Sequence, residues 1–246
     1  MERTLAFDAG NTQLGWGLFL DGALCEVGSF ANDDARWELP HPSWTSLDRV
    51  VIASVRSETP GRLREAWPDH PPITILGVDA PIPVPTRVPE PRQVGADRLV
   101  NCLAWARRTA HAEPVPAVIV DFGTAITFDV VSAGGAYLGG LILPGPELIA
   151  RSLERGTSLL PRVRIEPTPE LFGRDTLSCI RRGVYGLLRG GVEFHLAALR
   201  AQLPSTTRFV ATGGGAPSYA PWFESIELVL PYLTLEGVRW AGLAST

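Results

Sequence analysis

The chain contains no lysine: all 22 basic residues among its 246 are arginine. That absence excludes a Walker-A phosphate loop, the strand lysine of protein kinases and a Schiff-base lysine. If the protein handles a nucleotide, it does so with another fold. Cysteine is nearly missing too. Cys25, Cys102 and Cys179 stand far apart and are odd in number. They make neither a disulfide framework nor a C-x-x-C metal site and read as reduced thiols of a cytoplasmic protein. No apolar run approaches the roughly 20 residues of a membrane span. Asp8 interrupts the one early apolar stretch, which argues against a signal peptide. A basic surplus is lacking as well: a formal charge of -4 sets the chain apart from dedicated nucleic-acid binders. It has no G-x-S-x-G elbow, and its histidines (His41, His70, His111 and His195) lack metal-ligand spacing.

What is present is core material. Hydrophobic residues make up 45% of the chain and charged ones 20%, a balance that builds packed lobes and excludes global disorder. Thr4 to Phe7 is an apolar run ending at Asp8, followed by the turn Ala9-Gly10-Asn11-Thr12. Leu14 to Leu20 and Ala23 to Phe30 flank Asp21-Gly22, a strong hairpin signal. Val50 to Val55 reads as a buried strand. The proline-rich stretch from Pro71 to Pro91 excludes helix and leaves only Ile73 to Leu76 as a strand. Leu99, Val100, Leu103, Ala104 and Trp105 then recur at helical spacing, up to about Ala110. Glu113-Pro114-Val115-Pro116 marks a lobe boundary, giving lobes of 1–116 and 117–246. Further helices are expected near Glu147–Arg155 and Thr176–Ala201, and a last strand from Arg208 to Ala211.

A shift of 113 residues lays Leu5-Ala6-Phe7-Asp8-Ala9-Gly10-Asn11 on Val118-Ile119-Val120-Asp121-Phe122-Gly123-Thr124. Without a gap, the same shift lays Gly22-Ala23 on Gly135-Ala136. Both halves therefore read strand, Asp-x-Gly, strand, glycine turn, strand, and duplication explains that better than chance.

An apolar strand that delivers a carboxylate into a glycine turn suits phosphate binding. The glycine admits backbone N–H groups to an anion, and Asn or Thr adds a hydrogen bond. Asp8 would repel phosphate unless Mg²⁺ lay between them. One such turn also fits a plain hairpin; two in duplicated lobes favour the ligand reading. Thr212-Gly213-Gly214-Gly215 after the last strand would let a flat group such as adenine approach the backbone, or would simply turn the chain. Gly95-Ala96-Asp97-Arg98 opens a helix. Asp97 fits an N-cap or a base beside an anion clamp equally well. Val100 denies it a reciprocal capping box, and Arg98 opposes the helix dipole.

Together these residues resemble the type III pantothenate kinases, a bacterial family of the actin/Hsp70/sugar-kinase superfamily. Five segments carry the likeness in order: Asp8-Ala9-Gly10-Asn11-Thr12; Gly95-Ala96-Asp97-Arg98; Asp121-Phe122-Gly123-Thr124-Ala125-Ile126-Thr127; Tyr137-Leu138-Gly139-Gly140 through Leu143-Pro144-Gly145 to Leu159-Leu160-Pro161; and Gly173-Arg174-Asp175-Thr176 with Thr212-Gly213-Gly214. The resemblance implies an α/β fold of two duplicated actin-like (ribonuclease H-like) lobes with an active-site cleft between them. It implies ATP-dependent phosphorylation of pantothenate, the first step of coenzyme A synthesis.

By the same resemblance, Asp8, Ala9, Gly10, Asn11, Thr12, Gln13, Leu14 and Gly15 would hold ATP phosphates and Mg²⁺, with Thr124, Gly213 and Gly214 also on ATP. Asp97 would be the general base. Val88, Gly95, Ala96, Asp97, Arg98 and Thr176 would contact pantothenate, Thr176 from the second subunit of a homodimer. Asp121 would bind a monovalent cation, K⁺ or NH₄⁺. No nucleic-acid or membrane partner is expected. The chain departs from the family's common residues at Gly15 (often basic), Ile126 (often threonine) and Val88 (tyrosine in some members). The competing readings are a phosphatase or ATPase of the same superfamily and a non-enzymatic regulator.

Overall fold

The computed structural model describes residues 2–34, 36–110 and 113–244; His111 lies outside them. In chain order the elements are β1 (Arg3–Ala9), β2 (Gln13–Leu20), β3 (Ala23–Ala31), β4 (Arg49–Ser54), α1 (Thr59–Ala66), β5 (Ile73–Ile75) and α2 (Ala96–Thr109). They continue with β6 (Ala117–Phe122), β7 (Ala125–Val131), β8 (Tyr137–Pro144), α3 (Pro146–Gly156), α4 (Thr176–Gln202), β9 (Arg208–Thr212), α5 (Ala216–Tyr219), β10 (Leu228–Val229) and α6 (Leu233–Leu243).

The strands form two five-stranded sheets, ordered β3-β2-β1-β4-β5 and β8-β7-β6-β9-β10. In the first, β1 is antiparallel to β2 and parallel to β4, which is parallel to β5. In the second, β9 lies parallel between β6 and β10. The two sheets thus repeat one strand order, as the 113-residue shift requires. The hairpin turns agree: Asp21 and Gly22 have φ of 48° and 86°, the pair of positive values that a type I′ turn needs, and Gly135 has 78°.

Two compact units result. One joins Met1–Val115, Val131–Gly139 and Tyr232–Thr246; the other joins Pro116–Val130 and Gly140–Pro231. In the first unit, alternation along β1 and β4 sends side chains to two cores. Leu5, Phe7, Val50 and Ile52 meet Trp16, Trp44, Leu63 and Trp67 on one face. Ala6, Val51 and Ala53 meet Val100 and Leu103 of α2 and Leu235, Val238 and Ala241 of α6 on the other. The Trp44 ring stands edge-on to Phe7 and Trp16, with centroids 5.3 and 5.1 Å away. Trp16 and Trp105 are core residues.

Three helices escape a reading by periodicity, α5 because its 4 residues are a single turn. α1 is a short turn begun by Thr59-Pro60 with no acidic first turn. α6 is buried on several sides, so it shows no apolar stripe to read. Its glycines permit that closeness: a Cβ on Gly237 would strike the Val100 carbonyl, and one on Gly242 the Val51 side chain.

In the second unit α4 lays Ile180, Val184, Leu188, Val192 and Leu196 on Val118, Val120, Phe128 and Phe209. Each such buried aliphatic contributes about 1.5–3 kcal/mol. His195 sits in α4 with its ring against Phe128 and Phe194, a packed residue. Among the described residues no helix is long and apolar enough to cross a membrane, and the three cysteines are free thiols.

Candidate active site

The first acidic turn closes the end of β1. Asp8 pairs with Gly15 across β2 and with Ala53 across β4, which holds it half-buried at the sheet's centre. The chain then leaves the sheet: Gly10 N–H donates to the Gln13 carbonyl at 3.0 Å. The turn is braced from outside by Asn32 Nδ2 on the Gly10 carbonyl at 2.9 Å and by Arg56 Nη1 on the Asn11 carbonyl at 3.0 Å. Asn11, Thr12 and Gln13 stay exposed while Ala9 and Leu14 are buried. Glycine is not sterically required at position 15, because a Cβ there would lie 3.7 Å from the Asp8 carbonyl oxygen, an ordinary contact.

Asp97 also belongs to the first unit. The helix N-cap is Gly95 and no side chain caps it, so Asp97 is the second residue of α2 and not its cap. Its Oδ1 accepts from the Arg98 N–H at 2.9 Å. A Cβ at position 95 would run into that same carboxylate oxygen, so Gly95 makes room for Asp97. Burial pushes the Asp97 carboxyl above the usual aspartate range; the bond from the Arg98 N–H and the Arg98 charge only partly oppose this. The Arg98 guanidinium lies 5.4 Å from the centre of the Tyr137 ring. Tyr137 in turn zips to the proline-rich segment, donating its N–H to the Pro85 carbonyl at 2.8 Å and accepting from the Arg87 N–H at 2.9 Å. Half-buried Val88 follows directly, and a Cβ on Gly139 would sit 3.9 Å from it. The structure therefore gathers Val88, Gly95, Asp97, Arg98 and Tyr137 in one unit. Tyr137 is the member that sequence reasoning left without a role.

The second acidic turn forms in the other unit, where three motifs converge. Asp121 pairs with Thr212 across the parallel strands β6 and β9. Gly213 follows with φ of 87°, a left-handed value that suits glycine. A Cβ on it would strike the Asp121 carboxylate. Gly215 N–H donates to the Phe122 carbonyl at 2.9 Å. The Leu143-Pro144-Gly145 motif docks on the same turn: Gly145 N–H donates to the Thr124 carbonyl at 3.0 Å, and a Cβ at 145 would press on the Gly123 and Thr124 carbonyls. Gly214 has open space around it.

Thr176 lies exposed at the first position of α4. Its neighbours are architectural. Asp175 caps the helix by accepting from Ser178 N–H at 2.8 Å, and Ser178 Oγ accepts from Asp175 N–H at 3.1 Å, a reciprocal capping box. Those bonds hold the Asp175 carboxyl below its usual range.

Two sheets of one strand order, each ending its central strand in an acidic glycine turn, define a duplicated actin-like α/β protein. A sequence model of the type III pantothenate kinases matches residues 4–197, and this chain belongs to that family. It is 36% identical over 254 residues to the type III pantothenate kinase of Dehalococcoides mccartyi, covering 97% of this chain and 96% of that protein. It is 38% identical over 252 residues to that of Anaeromyxobacter sp. strain K, covering 96% of each. Among solved structures, a Campylobacter jejuni protein described as a Baf family transcriptional activator superposes with a TM-score of 0.59 at 18% identity over 96% of each chain. The Clostridium difficile activator of 2-hydroxyisocaproyl-CoA dehydratase, solved with ADPNP, gives 0.50 at 12% identity over 99% of this chain and 94% of that one. These structures share the fold.

Proposed function

We propose that this chain transfers the γ-phosphoryl group of ATP to the primary hydroxyl of pantothenate, giving 4'-phosphopantothenate in the cytoplasm as the first step of coenzyme A synthesis. The observation that carries the reading is the Asp97 carboxylate, partly buried in the first turn of α2 beside Arg98, in a chain similar to these kinases over 97% of its length. Asp97 is the base. It orients the hydroxyl and takes its proton as the oxygen bonds to phosphorus and ADP leaves with the electron pair of the broken bond. Arg98 clamps the pantothenate carboxylate, and Val88, Gly95, Ala96 and Thr176 complete that contact.

ATP phosphates fall to the turn from Asp8 through Ala9, Gly10, Asn11, Thr12, Gln13 and Leu14 to Gly15, with Thr124, Gly213 and Gly214 also on the nucleotide. Among the described residues no group of three or more His, Cys, Asp or Glu side chains gathers as a metal cage. Mg²⁺ is commonly held by one or two carboxylates together with substrate phosphates. Asp8 would hold it, and when bound it neutralises phosphate charge. The lobes of this reading are 1–116 and 117–246.

Asp121 is assigned to a monovalent cation. A second carboxylate near ATP phosphates adds repulsion that a bound K⁺ or NH₄⁺ removes. Turnover should therefore collapse in buffers whose only monovalent cations are bulky organic ones and return on adding K⁺. Undiminished turnover without either ion contradicts the assignment.

We also read the chain as a homodimer. The support is the outer face of α4, where Gly183, Leu187, Gly190 and Phe194 make a second apolar stripe opposite the buried one, with Leu187 64% and Phe194 68% exposed. Light scattering should give twice the chain mass, and Phe194→Glu should shift the protein toward monomer and reduce activity on dilution. A monomer fully active at nanomolar concentration sinks this reading.

A further inference from the structure

The opposite end of α2 from Asp97 lines a cavity of about 240 Å³ within the first unit, shared with α6 and the β2–β3 hairpin. Its apolar walls are Phe19, Leu24 and Trp240; its charged groups are Arg107, Arg108, Arg239 and Glu236. Arg108 is satisfied: its Nε and Nη2 donate to the two Glu236 carboxylate oxygens at 2.7 and 2.6 Å. The other two arginines have no carboxylate partner among the described residues. Arg239 is only 8% exposed, and its Nε finds no hydrogen-bond acceptor among the described residues. Its guanidinium rests instead on the Trp240 and Phe19 rings, 4.8 and 5.7 Å from their centres. Arg107 stands 5.5 Å from the same Trp240 ring.

The hairpin is shaped around this group. Gly22 has φ of 86°, and a Cβ there would come 2.9 Å from Arg239 Nη2. Burying a guanidinium is costly unless an anion and good acceptors repay it, and ring contacts repay only part. Three arginines against one glutamate leave the lining with a surplus of two positive charges.

We propose that this cavity binds a small phosphate monoester, its dianionic oxygens on Arg239 and Arg107 and its apolar part against Trp240, Phe19 and Leu24. The planar guanidinium fork matches phosphate oxygens, and the two uncompensated charges match a dianion. Arg107 lies ten residues along α2 from Asp97, roughly 15 Å at the helical rise, so the two are separate points on one helix. The proposal is independent of the reaction assigned above.

Phenyl phosphate is the probe. Calorimetry on the full chain, at constant ionic strength and with Mg²⁺–ADP present to occupy nucleotide-binding groups, should show one saturable site. Arg107→Gln, an exposed position, should weaken binding by about tenfold or more, the loss of one charge-assisted contact. Arg239→Met should abolish it while keeping the fold, since an apolar chain replaces a buried charge. Raising Mg²⁺–ADP further should leave the heat of probe binding unchanged. No saturable binding up to about 10 mM, or Arg107→Gln equal to wild type, overturns the site. Loss of the heat as Mg²⁺–ADP is raised also overturns it, by moving the binding to the nucleotide turns. If Arg239→Met does not fold, Arg107→Gln decides alone.

Discussion

Asp97→Asn is expected to lower kcat by roughly 10²–10⁴-fold, the usual range for a general base. Asparagine keeps the shape and an oxygen that accepts the Arg98 N–H, but it cannot take the proton of the attacking hydroxyl. Pantothenate and ATP binding should change far less, because Arg98 and both glycine turns remain. The carboxyl's displaced ionisation adds two readouts. Burial raises the folded-state pKa, so the acid limb of kcat/KM should lie above the ordinary aspartate value and vanish in the variant. As pH rises from about 3.8 through the folded-state pKa, the unfolded chain releases this proton first. Folding stability therefore falls across that window and stays lower above it. Asparagine carries no such penalty, so the variant should melt no lower than wild type at pH 7. A wild-type rate in Asp97→Asn reduces the residue to a structural role. Lost pantothenate binding at unchanged kcat makes it a recognition residue.

Asp8→Asn should lower kcat/KM for ATP by about 10²–10³-fold, comparable to losing one electrostatic clamp on a transferring phosphoryl group. The backbone of the turn should survive, since Asn32 and Arg56 hold it through the Gly10 and Asn11 carbonyls and not through Asp8. Much of the lost rate should return at high Mg²⁺ if the carboxylate acts by holding the ion. Rate loss with no change in Mg²⁺ dependence points to a structural role instead. An unaltered kcat/KM contradicts the assignment of the β1 turn to ATP.

The duplication was legible because it was written locally. Asp8 and Asp121, and Gly22 and Gly135, stand at one offset, and backbone geometry at each turn limits what residues can serve. That the two sheets share one strand order agrees with that pattern. α6 was illegible for a physical reason: packed against α2 and β1, it buries most of its positions, Arg239 among them, and so has no exposed face to create a period. The convergence of Gly145 and Gly213 on the Asp121 turn was likewise hidden. Each glycine answers to a carbonyl or carboxylate distant in sequence, and only the tertiary structure brings that partner near. Asp175 sits inside a family motif, yet its side chain is spent on capping α4. The cap position of α2 stays open in the sequence for the opposite reason: Gly95, which takes it, has no side chain to signal a cap.

The central claim is phosphoryl transfer to pantothenate, and one assay tests it directly. ADP release is followed in K⁺ and Mg²⁺, with and without pantothenate, while mass spectrometry follows 4'-phosphopantothenate. The account predicts ADP release that depends on pantothenate and matches phosphopantothenate one for one. ADP or phosphate released at the same rate without pantothenate would identify an ATPase or phosphatase, and no release under either condition would identify a non-enzymatic relative; either result contradicts the account.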